Sequence, residues 1–191
     1  MRDKLILVDC DGVLLDWMYS FQRWMGRHGY TAVNTDVYKI HEIFGIEKSE
    51  GNKLCRMFNE SAAIRKVPPL RDAIKYIKKL HEEDGYIFHA ITSLSVDSYA
   101  QHLRTKNLCE LFGKTVFESY IYLDTGADKD EVLAKYKDTG CLWVEDKVEN
   151  AIAGAKVGLE SIVMQHAYNK DTTEFPLMRN WKEIYDHIKG Q

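Results

Sequence analysis

The sequence predicts an α/β fold in which a doubly wound parallel sheet carries a small helical cap inserted after its first strand. Short apolar runs alternate with segments of helical periodicity along most of the chain, which is typical of parallel sheets with helices on both faces. The first run, residues 5–8, is apolar throughout, as expected for a strand buried on both faces. Between the first two runs lies a long stretch with helical patterns and no convincing strand, which predicts the insertion.

The composition is that of one folded domain with a substantial core. The chain has 191 residues, of which 45% are hydrophobic and 29% charged. No apolar run approaches the roughly 18 to 20 residues that span a bilayer. The start Met1-Arg2-Asp3-Lys4 is followed by too few apolar residues for a signal peptide. We therefore expect no membrane association and a cytoplasmic location.

Charge and cysteine usage argue against several kinds of site. A net charge of -3 and a pI near 6.2 give no overall basic surface for nucleic-acid backbones. The four cysteines are scattered without a C-x-x-C pair, which argues against both a zinc site and a disulfide framework. We expect a small-molecule partner, with nucleic acid disfavoured, and the sequence leaves the oligomeric state open.

The first strand is predicted at residues 5–8, and two aspartates, Asp9 and Asp11, leave its carboxyl end just before Gly12. In open α/β sheets, ligands bind in the crevice outside the carboxyl ends of the strands. We therefore expect both carboxylates to face a ligand site and not the core. Taken alone, a D-x-D-G loop could also be a turn or a calcium-binding feature.

The helical insertion is predicted at residues 17–68, which leaves 1–16 and 69–191 as the core. Apolar residues recur at spacings of three and four from Val13 to Met25, which predicts an amphipathic helix that ends between Gly26 and Gly29. Further helical patterns cover residues 36–44 and 52–59. The insertion is rich in rings that either stack a nucleobase or build a core: Trp17, Phe21, Trp24, Tyr30, Tyr38, Phe44 and Phe58.

The core resumes after Pro68 and Pro69 with a regular alternation of helices and strands. Two of its strands end in polar residues, one in Thr92 and Ser93 and the other in Glu145-Asp146. The predicted elements are a helix from Leu70 to Leu80, a strand at 86–91, a helix at 97–106, a strand within 116–123, a helix starting about 128, a strand at 141–144, a helix at 149–157 and a strand at 160–164.

Polar side chains at three strand ends and one helix start indicate a single site. Carboxylate oxygens of Asp9 and Asp146 suit magnesium, which typically binds one or two carboxylates together with substrate phosphate. Thr92 can hydrogen-bond phosphate oxygens, and Lys129 can hold them as a point charge. A carboxylate nucleophile beside a metal then predicts covalent phosphoryl transfer. Individually, the same residues could be a strand-end cap, a solvated lysine and a helix cap.

In their order along the chain, these motifs resemble those of the haloacid dehalogenase superfamily, and the resemblance covers nearly the whole chain. It implies a Rossmann-like core, a cap inserted after the first strand, and Mg²⁺ as the cofactor. Members that cleave carbon–halogen bonds or phosphonates usually lack an aspartate at the place of Asp11, so the resemblance favours a phosphatase. The residues that carry it are Asp9-Cys10-Asp11-Gly12-Val13, Thr92, Lys129 and Glu145-Asp146.

The resemblance implies a role for each motif residue. Asp9 would attack phosphorus and form an aspartyl phosphate, while Asp11 would protonate the leaving group and then activate water. Thr92 and Lys129 would hold the phosphoryl oxygens. The implied metal ligands are Asp9, the backbone carbonyl of Asp11 and Asp146, with Glu145 supporting them.

Short stretches of the sequence are most similar to the 5'(3')-deoxyribonucleotidase branch: "DCDGVLLDW", "ITS", "DKDEV" and the late "HAYN". That resemblance implies substrate-binding roles for Trp17 and Ser93. Glu145-Asp146 departs from it, because those enzymes usually carry paired aspartates there, and the Glu-Asp form is common in sugar-phosphate phosphatases and phosphomutases.

We therefore expect a Mg²⁺-dependent phosphomonoesterase that hydrolyses a small phosphate monoester, preferably a (deoxy)ribonucleoside monophosphate. The alternatives are a sugar-phosphate phosphatase or phosphomutase, and a catalytically silent nucleotide-binding module.

Overall fold

The computed structural model describes residues 4–190 and has a six-stranded parallel sheet at its centre. The strands are β1 (Leu5–Val8), β2 (Ile87–Thr92), β3 (Phe117–Tyr122), β4 (Leu142–Glu145), β5 (Glu160–Met164) and β6 (Leu177–Met178). They lie in the order β3-β2-β1-β4-β5-β6. All neighbouring pairs are parallel, so the predicted doubly wound α/β fold is confirmed. The winding reverses between β1 and β4, where this fold forms its ligand crevice.

Helices cover the sheet and form most of the segment between β1 and β2. Among the residues that the structure describes, they are α1 (Trp17–Arg27), α2 (Ile40–Phe44), α3 (Lys48–Asn59), α4 (Ala73–Glu82), α5 (Ser98–Phe112), α6 (Asp130–Leu133), α7 (Val148–Lys156) and α8 (Trp181–Lys189). Short 3₁₀ turns cover Ala62–Lys66, Ala134–Tyr136 and Ala167–Asn169. Over residues 4–190, none of these helices has the length and apolar character needed to cross a membrane.

The inserted helices share the hydrophobic core of the sheet. Val8 of β1 and Phe88 of β2 belong to the same buried cluster as Phe21 of α1 and Phe58 of α3. Leu7 points to the opposite face of β1 and packs in a second, smaller cluster. This division follows from strand alternation, which sends successive side chains to opposite faces. The assignment of residues 17–68 as a separate cap domain stays a prediction.

Several element boundaries differ from those that the sequence predicts. The first helix begins at Trp17 instead of Val13, because the N–H groups of Leu14 and Leu15 both bond to the Cys10 carbonyl in a tight turn. Residues 36–39 are not helical, and the helix predicted at 52–59 already begins at Lys48. The helix predicted from about 128 starts at 130.

The C-terminal segment holds two elements that the sequence did not predict. β6 has only two residues, too few to give a recognisable pattern. α8 begins at the Asn180 cap, whose side chain accepts a hydrogen bond from the N–H of Glu183. Its Trp181 is fully buried, and Nε1 of that indole donates to the Val13 carbonyl at 2.9 Å. The C-terminal helix therefore supports the turn that follows β1.

Candidate active site

Strand register brings the predicted carboxylates together at the carboxyl edge of the sheet. Val8 of β1 pairs with Val144 of β4. One residue further along the chain, the N–H of Asp9 donates to the Val144 carbonyl at 3.0 Å, beside Glu145 at the end of β4. Asp146 follows directly. The carboxyl ends of two adjacent strands thus supply three acidic side chains to one place.

Lys129 is buried between two of these carboxylates. Its Nζ lies 2.9 Å from Asp9 Oδ1 and 2.7 Å from Glu145 Oε2. It also lies 5.2 Å from the centre of the Trp143 ring, within the range of a cation–π contact. Burial opposes a charged ammonium, but the two carboxylates outweigh it and raise the pKa of Lys129 above its usual value. The side chain therefore stays charged.

Glu145 is held by a full set of donors. Its Oε1 accepts hydrogen bonds from the N–H groups of Asp146 and Lys147 at 3.0 and 3.1 Å. Its Oε2 accepts from Lys129 and from Nδ2 of Asn150, the latter at 3.2 Å. Burial alone would raise the pKa of Glu145, yet Lys129 and these donors hold it below its usual value. Glu145 is therefore an ionised anchor for Lys129 and for the chain around Asp146.

Asp9 and Asp146 have the opposite electrostatic environment. Burial and the neighbouring Glu145 raise the pKa of Asp9 to about 8, with Lys129 offsetting only part of the effect. Burial, Glu145 and Asp9 likewise raise the pKa of Asp146. Ligand oxygens of the three acids lie within 4.8 Å of one another. Crowded buried carboxylates of this kind gain most from a divalent cation, so the donor set fits Mg²⁺.

A loop after β5 fixes the chain around Asp146. The Tyr168 hydroxyl donates a hydrogen bond to Asp146 Oδ2. Nδ2 of Asn169 donates to the backbone carbonyl of Asp146 at 2.7 Å and to that of Met164 at 2.9 Å. The ring of His166 stacks on Tyr168, and its Nε2 donates to the Gly12 carbonyl at 2.7 Å. The late "HAYN" motif therefore supports both acidic loops.

Gly12 lies directly against Asp146, where the two acidic loops meet. Its φ is +81°, which L side chains rarely adopt, and a Cβ there would clash with the Asp146 carboxylate. The glycine of the D-x-D-G motif thus allows Asp146 to lie directly against the turn that follows β1.

Asp11 lines the cavity described below, but its carboxylate is bound to a residue that the sequence did not single out. Nη1 of Arg104, on α5, lies 2.5 Å from Asp11 Oδ1. Arg104 is fully buried, whereas the Asp11 side chain is 22% exposed. A sequence signal for Arg104 existed: it lies in the buried stripe of α5 with Ala100 and Asn107, where a charged residue is unusual.

Thr92 and Ser93 lie where β2 ends. Thr92 is buried and lines the cavity. Oγ of Ser93 donates to the Ala127 carbonyl at 2.7 Å and so ties β2 to the loop that carries Lys129. Ser93 also lines the cavity, so its predicted substrate contact stays a prediction beside this observed one.

Trp17 lies at the start of α1 with little of its surface free. Its ring stacks on Phe21 at 4.6 Å and meets Phe58 edge-on at 5.4 Å. Nε1 donates to Asn59 Oδ1 at 2.9 Å. Only 9% of the residue is exposed, although it contributes to the cavity wall. Its ring is thus mainly core, and its predicted role in binding substrate stays a prediction.

The predicted site residues line one cavity of about 1300 Å³ between the carboxyl edge of the sheet and the inserted helices. The acids and Lys129 lie on the sheet side. The inserted helices contribute a polar face of α3, with Asn52, Arg56 and Asn59. The structure brings the predicted residues together, and the catalytic, metal-binding and substrate-binding roles assigned to them stay predictions.

Sequence comparisons agree with this architecture. The family model described as "5' nucleotidase, deoxy (Pyrimidine), cytosolic type C protein" matches residues 3–191. An uncharacterized 32.4 kDa protein of Enterobacteria phage T4, from the Gp30-rIII intergenic region, is 29% identical over 142 residues. That match covers 70% of this chain and 49% of the phage protein, so the chain spans about half the length of this curated relative.

Solved structures share the fold at low sequence identity. A haloacid dehalogenase-like hydrolase, SP0104 from Streptococcus pneumoniae, superposes with a TM-score of 0.67 and 12% identity over 98% of this chain and 99% of that one. CbbY from Rhodobacter sphaeroides, in complex with phosphate, has a TM-score of 0.61 and 15% sequence identity, and the match covers 95% of this chain and 96% of CbbY. YfnB from Bacillus subtilis, bound to magnesium, has a TM-score of 0.63 and 15% sequence identity, and the match covers 99% of this chain and 100% of YfnB.

Proposed function

The chain belongs to the family of deoxy (pyrimidine) 5'-nucleotidases of cytosolic type C, and we propose that it is a Mg²⁺-dependent phosphomonoesterase. Its preferred substrate in this proposal is a (deoxy)ribonucleoside monophosphate, hydrolysed through an aspartyl phosphate on Asp9. The family description also supports the cytoplasmic location expected from the sequence.

One observation carries the proposal: Asp9, Lys129 and the acidic pair Glu145-Asp146 meet in the wall of a large cavity. Phosphoryl transfer needs an anionic nucleophile close to an anionic phosphate, which requires positive charge between them. Lys129 supplies one such charge at 2.9 Å from Asp9. The buried carboxylates of Asp9, Glu145 and Asp146 have ligand oxygens within 4.8 Å of one another, so a second positive charge between them would be stabilising.

Mg²⁺ would be bound by carboxylate oxygens of Asp9 and Asp146, the two acids whose pKa is raised. Glu145 would support them indirectly, because both of its oxygens already accept hydrogen bonds from neighbouring donors. When bound, the cation supplies charge neutralisation between nucleophile and phosphate. YfnB, which has the same fold, was solved bound to magnesium, and this supports the assignment.

In the first step, the Asp9 carboxylate attacks phosphorus, an Asp9–phosphorus bond forms, and the bond to the ester oxygen breaks. Oδ1 of Asp9 accepts from the N–H of Cys10 at 2.7 Å and lies 2.9 Å from Nζ of Lys129, and these two contacts hold the carboxylate in place for the attack. Thr92 and Lys129 hold the phosphoryl oxygens. Asp11 gives a proton to the leaving oxygen, which departs as the alcohol.

In the second step, water attacks phosphorus and the Asp9–phosphorus bond breaks. Asp11 takes the proton from that water and so returns to the protonated form with which it began the first step. Asp9 returns as a carboxylate and inorganic phosphate leaves. The buried position of Asp9 limits the access of other nucleophiles to the aspartyl phosphate.

The aromatic part of the cavity supports a nucleoside as the leaving group. Tyr38 of the insertion meets Tyr168 edge-on at 5.2 Å, and both rings line the cavity with Trp17. Such rings can contact a base through their faces or edges. This is the support for a nucleotide in preference to other phosphate esters.

A sugar phosphate is the second candidate. The face of α3 that borders the cavity carries Asn52, Arg56 and Asn59, groups that suit hydroxyls as well as a base. Glu145 also supports a sugar phosphate, because the Glu-Asp pair resembles that of sugar-phosphate phosphatases and phosphomutases, whereas deoxyribonucleotidases usually carry two aspartates there. A phosphomutase would differ by requiring a bisphosphate and by transferring the phosphoryl group to a sugar instead of water.

The test is phosphate release with Mg²⁺ from a panel of deoxyribonucleoside monophosphates, ribonucleoside monophosphates and common sugar phosphates. Asp9→Asn serves as the blank. Selective turnover of nucleotides supports the proposal, and selective turnover of sugar phosphates supports the second candidate. A wild-type protein that binds nucleotides but matches the Asp9→Asn blank on every ester would be a silent binding module.

A further inference from the structure

Arg104 is a fully buried arginine with a single side-chain partner. Its Nη1 lies 2.5 Å from Asp11 Oδ1. Neither Nε nor Nη2 has a hydrogen-bond partner among residues 4–190, although both atoms are buried. Arg104 therefore uses only one of its nitrogen atoms, and it uses that atom to hold Asp11.

A purely structural role does not explain this arrangement. Buried guanidinium groups normally saturate their donors, because unpaired buried polar groups are unfavourable. An apolar residue of similar volume in the stripe with Ala100 would avoid that cost. Arg104 instead lies where its one hydrogen-bond partner, Asp11, lines the cavity.

We propose that Arg104 is a positioning residue that fixes the Asp11 carboxylate for proton transfer. The inference rests on the proposed function, in which Asp11 exchanges a proton with the leaving oxygen and then with water. Arg104 anchors Oδ1, which leaves Oδ2 of Asp11 as the oxygen available for that exchange. Arg104 lies in the middle of α5 (Ser98–Phe112), whose Asp97 cap accepts from the N–H of Ala100 at 2.7 Å, so helical hydrogen bonds hold its backbone on both sides.

The experiment is a double-mutant cycle on turnover. Arg104→Met keeps much of the volume and removes the donors, and Asp11→Asn removes the proton-transferring group. We expect Arg104→Met to lower kcat by about 10- to 100-fold with little change in KM, since misplacing a catalytic group costs about that much. In the Asp11→Asn background, the same substitution should cause no further loss, because there is no carboxylate left to position.

A matched control contacts the same helix from the 3₁₀ turn Ala62–Lys66. Arg65 pairs with Glu110 of α5, away from the cavity lining, so Arg65→Met removes an arginine–carboxylate pair without touching Asp11. Its kcat should stay close to that of the wild type. Arg104→Lys keeps the charge but not the planar donors, so we expect an intermediate kcat. If Arg104→Met does not fold, Arg104→Lys takes its place in the double-mutant cycle.

The outcomes separate this inference from the proposed function. Equal fold-losses from Arg104→Met in the wild-type and Asp11→Asn backgrounds would overturn the inference while leaving the hydrolase proposal intact. An unchanged kcat in Arg104→Met would also overturn it. Absence of phosphate release by the wild-type protein across the panel would overturn the proposed function, and the proton-transfer role of the pair with it.

Discussion

The hydroxyl of Tyr168 donates a hydrogen bond to Oδ2 of Asp146, which joins the loop after β5 to the acid that follows β4. The next residue, Asn169, holds the backbone carbonyl of Asp146 at 2.7 Å. Side chain and backbone of Asp146 are thus fixed from one loop. Donors that orient a metal-binding carboxylate in this way commonly tune the affinity for the metal.

We predict that Tyr168→Phe weakens Mg²⁺ binding. The phenylalanine keeps the stacking on His166 and loses only the hydroxyl. Loss of a supporting hydrogen bond of this kind typically lowers metal affinity by about 10- to 100-fold. The half-saturating Mg²⁺ concentration for phosphate release should therefore rise, while kcat at saturating Mg²⁺ changes much less.

Tyr38→Phe is the matched control for this prediction. Tyr38 packs edge-on against Tyr168, so its substitution alters the same aromatic pair without removing the bond to Asp146. Its Mg²⁺ dependence should stay close to that of the wild type. An unchanged Mg²⁺ dependence in Tyr168→Phe would show that the hydroxyl does not support the metal site.

Gly12→Ala should damage the site through a steric clash. A Cβ at Gly12 would clash with Asp146, and the φ of +81° adds the strain of a left-handed conformation. Gly29→Ala is the control, because Gly29 has a φ of +84° but nothing within 4 Å of the added Cβ. Unfolding measurements should give a loss of about 1 kcal/mol for the control. Gly12→Ala should lose more and should also lose phosphate release.

The raised pKa of Asp9 predicts how stability depends on pH in the Mg²⁺-free protein. Burial and Glu145 raise this pKa from 3.8 to about 8, so the folded state binds the proton more tightly than the unfolded chain. The contribution of Asp9 to stability is therefore lost as pH rises from about 4 to about 8. Asn does not titrate, so the stability advantage of Asp9→Asn over the wild type should grow through this window.

Denaturant unfolding in the presence of a chelator, near each end of that window, tests this prediction. Asp124→Asn is the control of opposite sign. Hydrogen bonds from Arg56 and the Thr125 N–H lower the pKa of Asp124, so its carboxylate stabilises the folded state above its unfolded pKa. That variant should be slightly less stable than the wild type throughout. A pH-independent difference between Asp9→Asn and the wild type would contradict the prediction.

Arg56 and Asp124 link the inserted helices to the sheet side of the cavity. Nη1 and Nη2 of Arg56 on α3 donate to the two Asp124 oxygens at 2.8 and 3.0 Å. Both side chains are more than 40% exposed, at 42% and 45%, so we expect Arg56→Ala to cost less than about 1 kcal/mol of stability. KM for the substrate should nevertheless rise several-fold, because the pair holds α3 over the cavity.

Asp124→Ala separates this pairing from direct substrate contact by Arg56. Asp124 is not part of the cavity lining, whereas Arg56 is. If the pair positions α3, both variants should raise KM to a similar extent in steady-state assays. A raised KM in Arg56→Ala alone would mean that Arg56 acts on the substrate directly.

The sequence could predict the parts of this site that local pattern determines. Apolar runs indicated β1, β2 and β4, and the polar residues at their carboxyl ends indicated Asp9, Thr92 and the Glu145-Asp146 pair. Each signal spans fewer than ten residues, and the parallel sheet then places these ends side by side. The structure has this arrangement, with Asp9 bonded to Val144 beside Glu145.

Contacts between distant segments could not be predicted in this way. Arg104 and Asp11 are separated by 93 positions, and Arg56 and Asp124 by 68. Nothing in either local pattern specifies the partner, because each pair depends on how the helices pack over the sheet. The same reason explains why α8 was missed, since Trp181 becomes core only when it packs under the turn containing Val13.

Trp17 offers a last prediction, since it belongs both to the core and to the cavity wall. Trp17 and Trp24 flank Phe21 on α1, with ring centroids 4.6 and 6.1 Å from it. Only Trp17 lines the cavity. Trp17→Leu and Trp24→Leu should each reduce stability, Trp17→Leu by about 2 to 4 kcal/mol because Trp17 is more buried.

Substrate preference should then distinguish the two variants. If Trp17 binds the base as proposed, Trp17→Leu should lower kcat/KM for a nucleoside monophosphate more than for a small generic phosphate ester, because Trp17 lines the cavity. Trp24→Leu should change kcat/KM by the same factor for both substrates, since it acts only through the packing of α1. Equal losses on both substrates in Trp17→Leu would assign this ring wholly to the core, and the nucleotide preference would then have to come from Tyr38 and Tyr168, which also line the cavity.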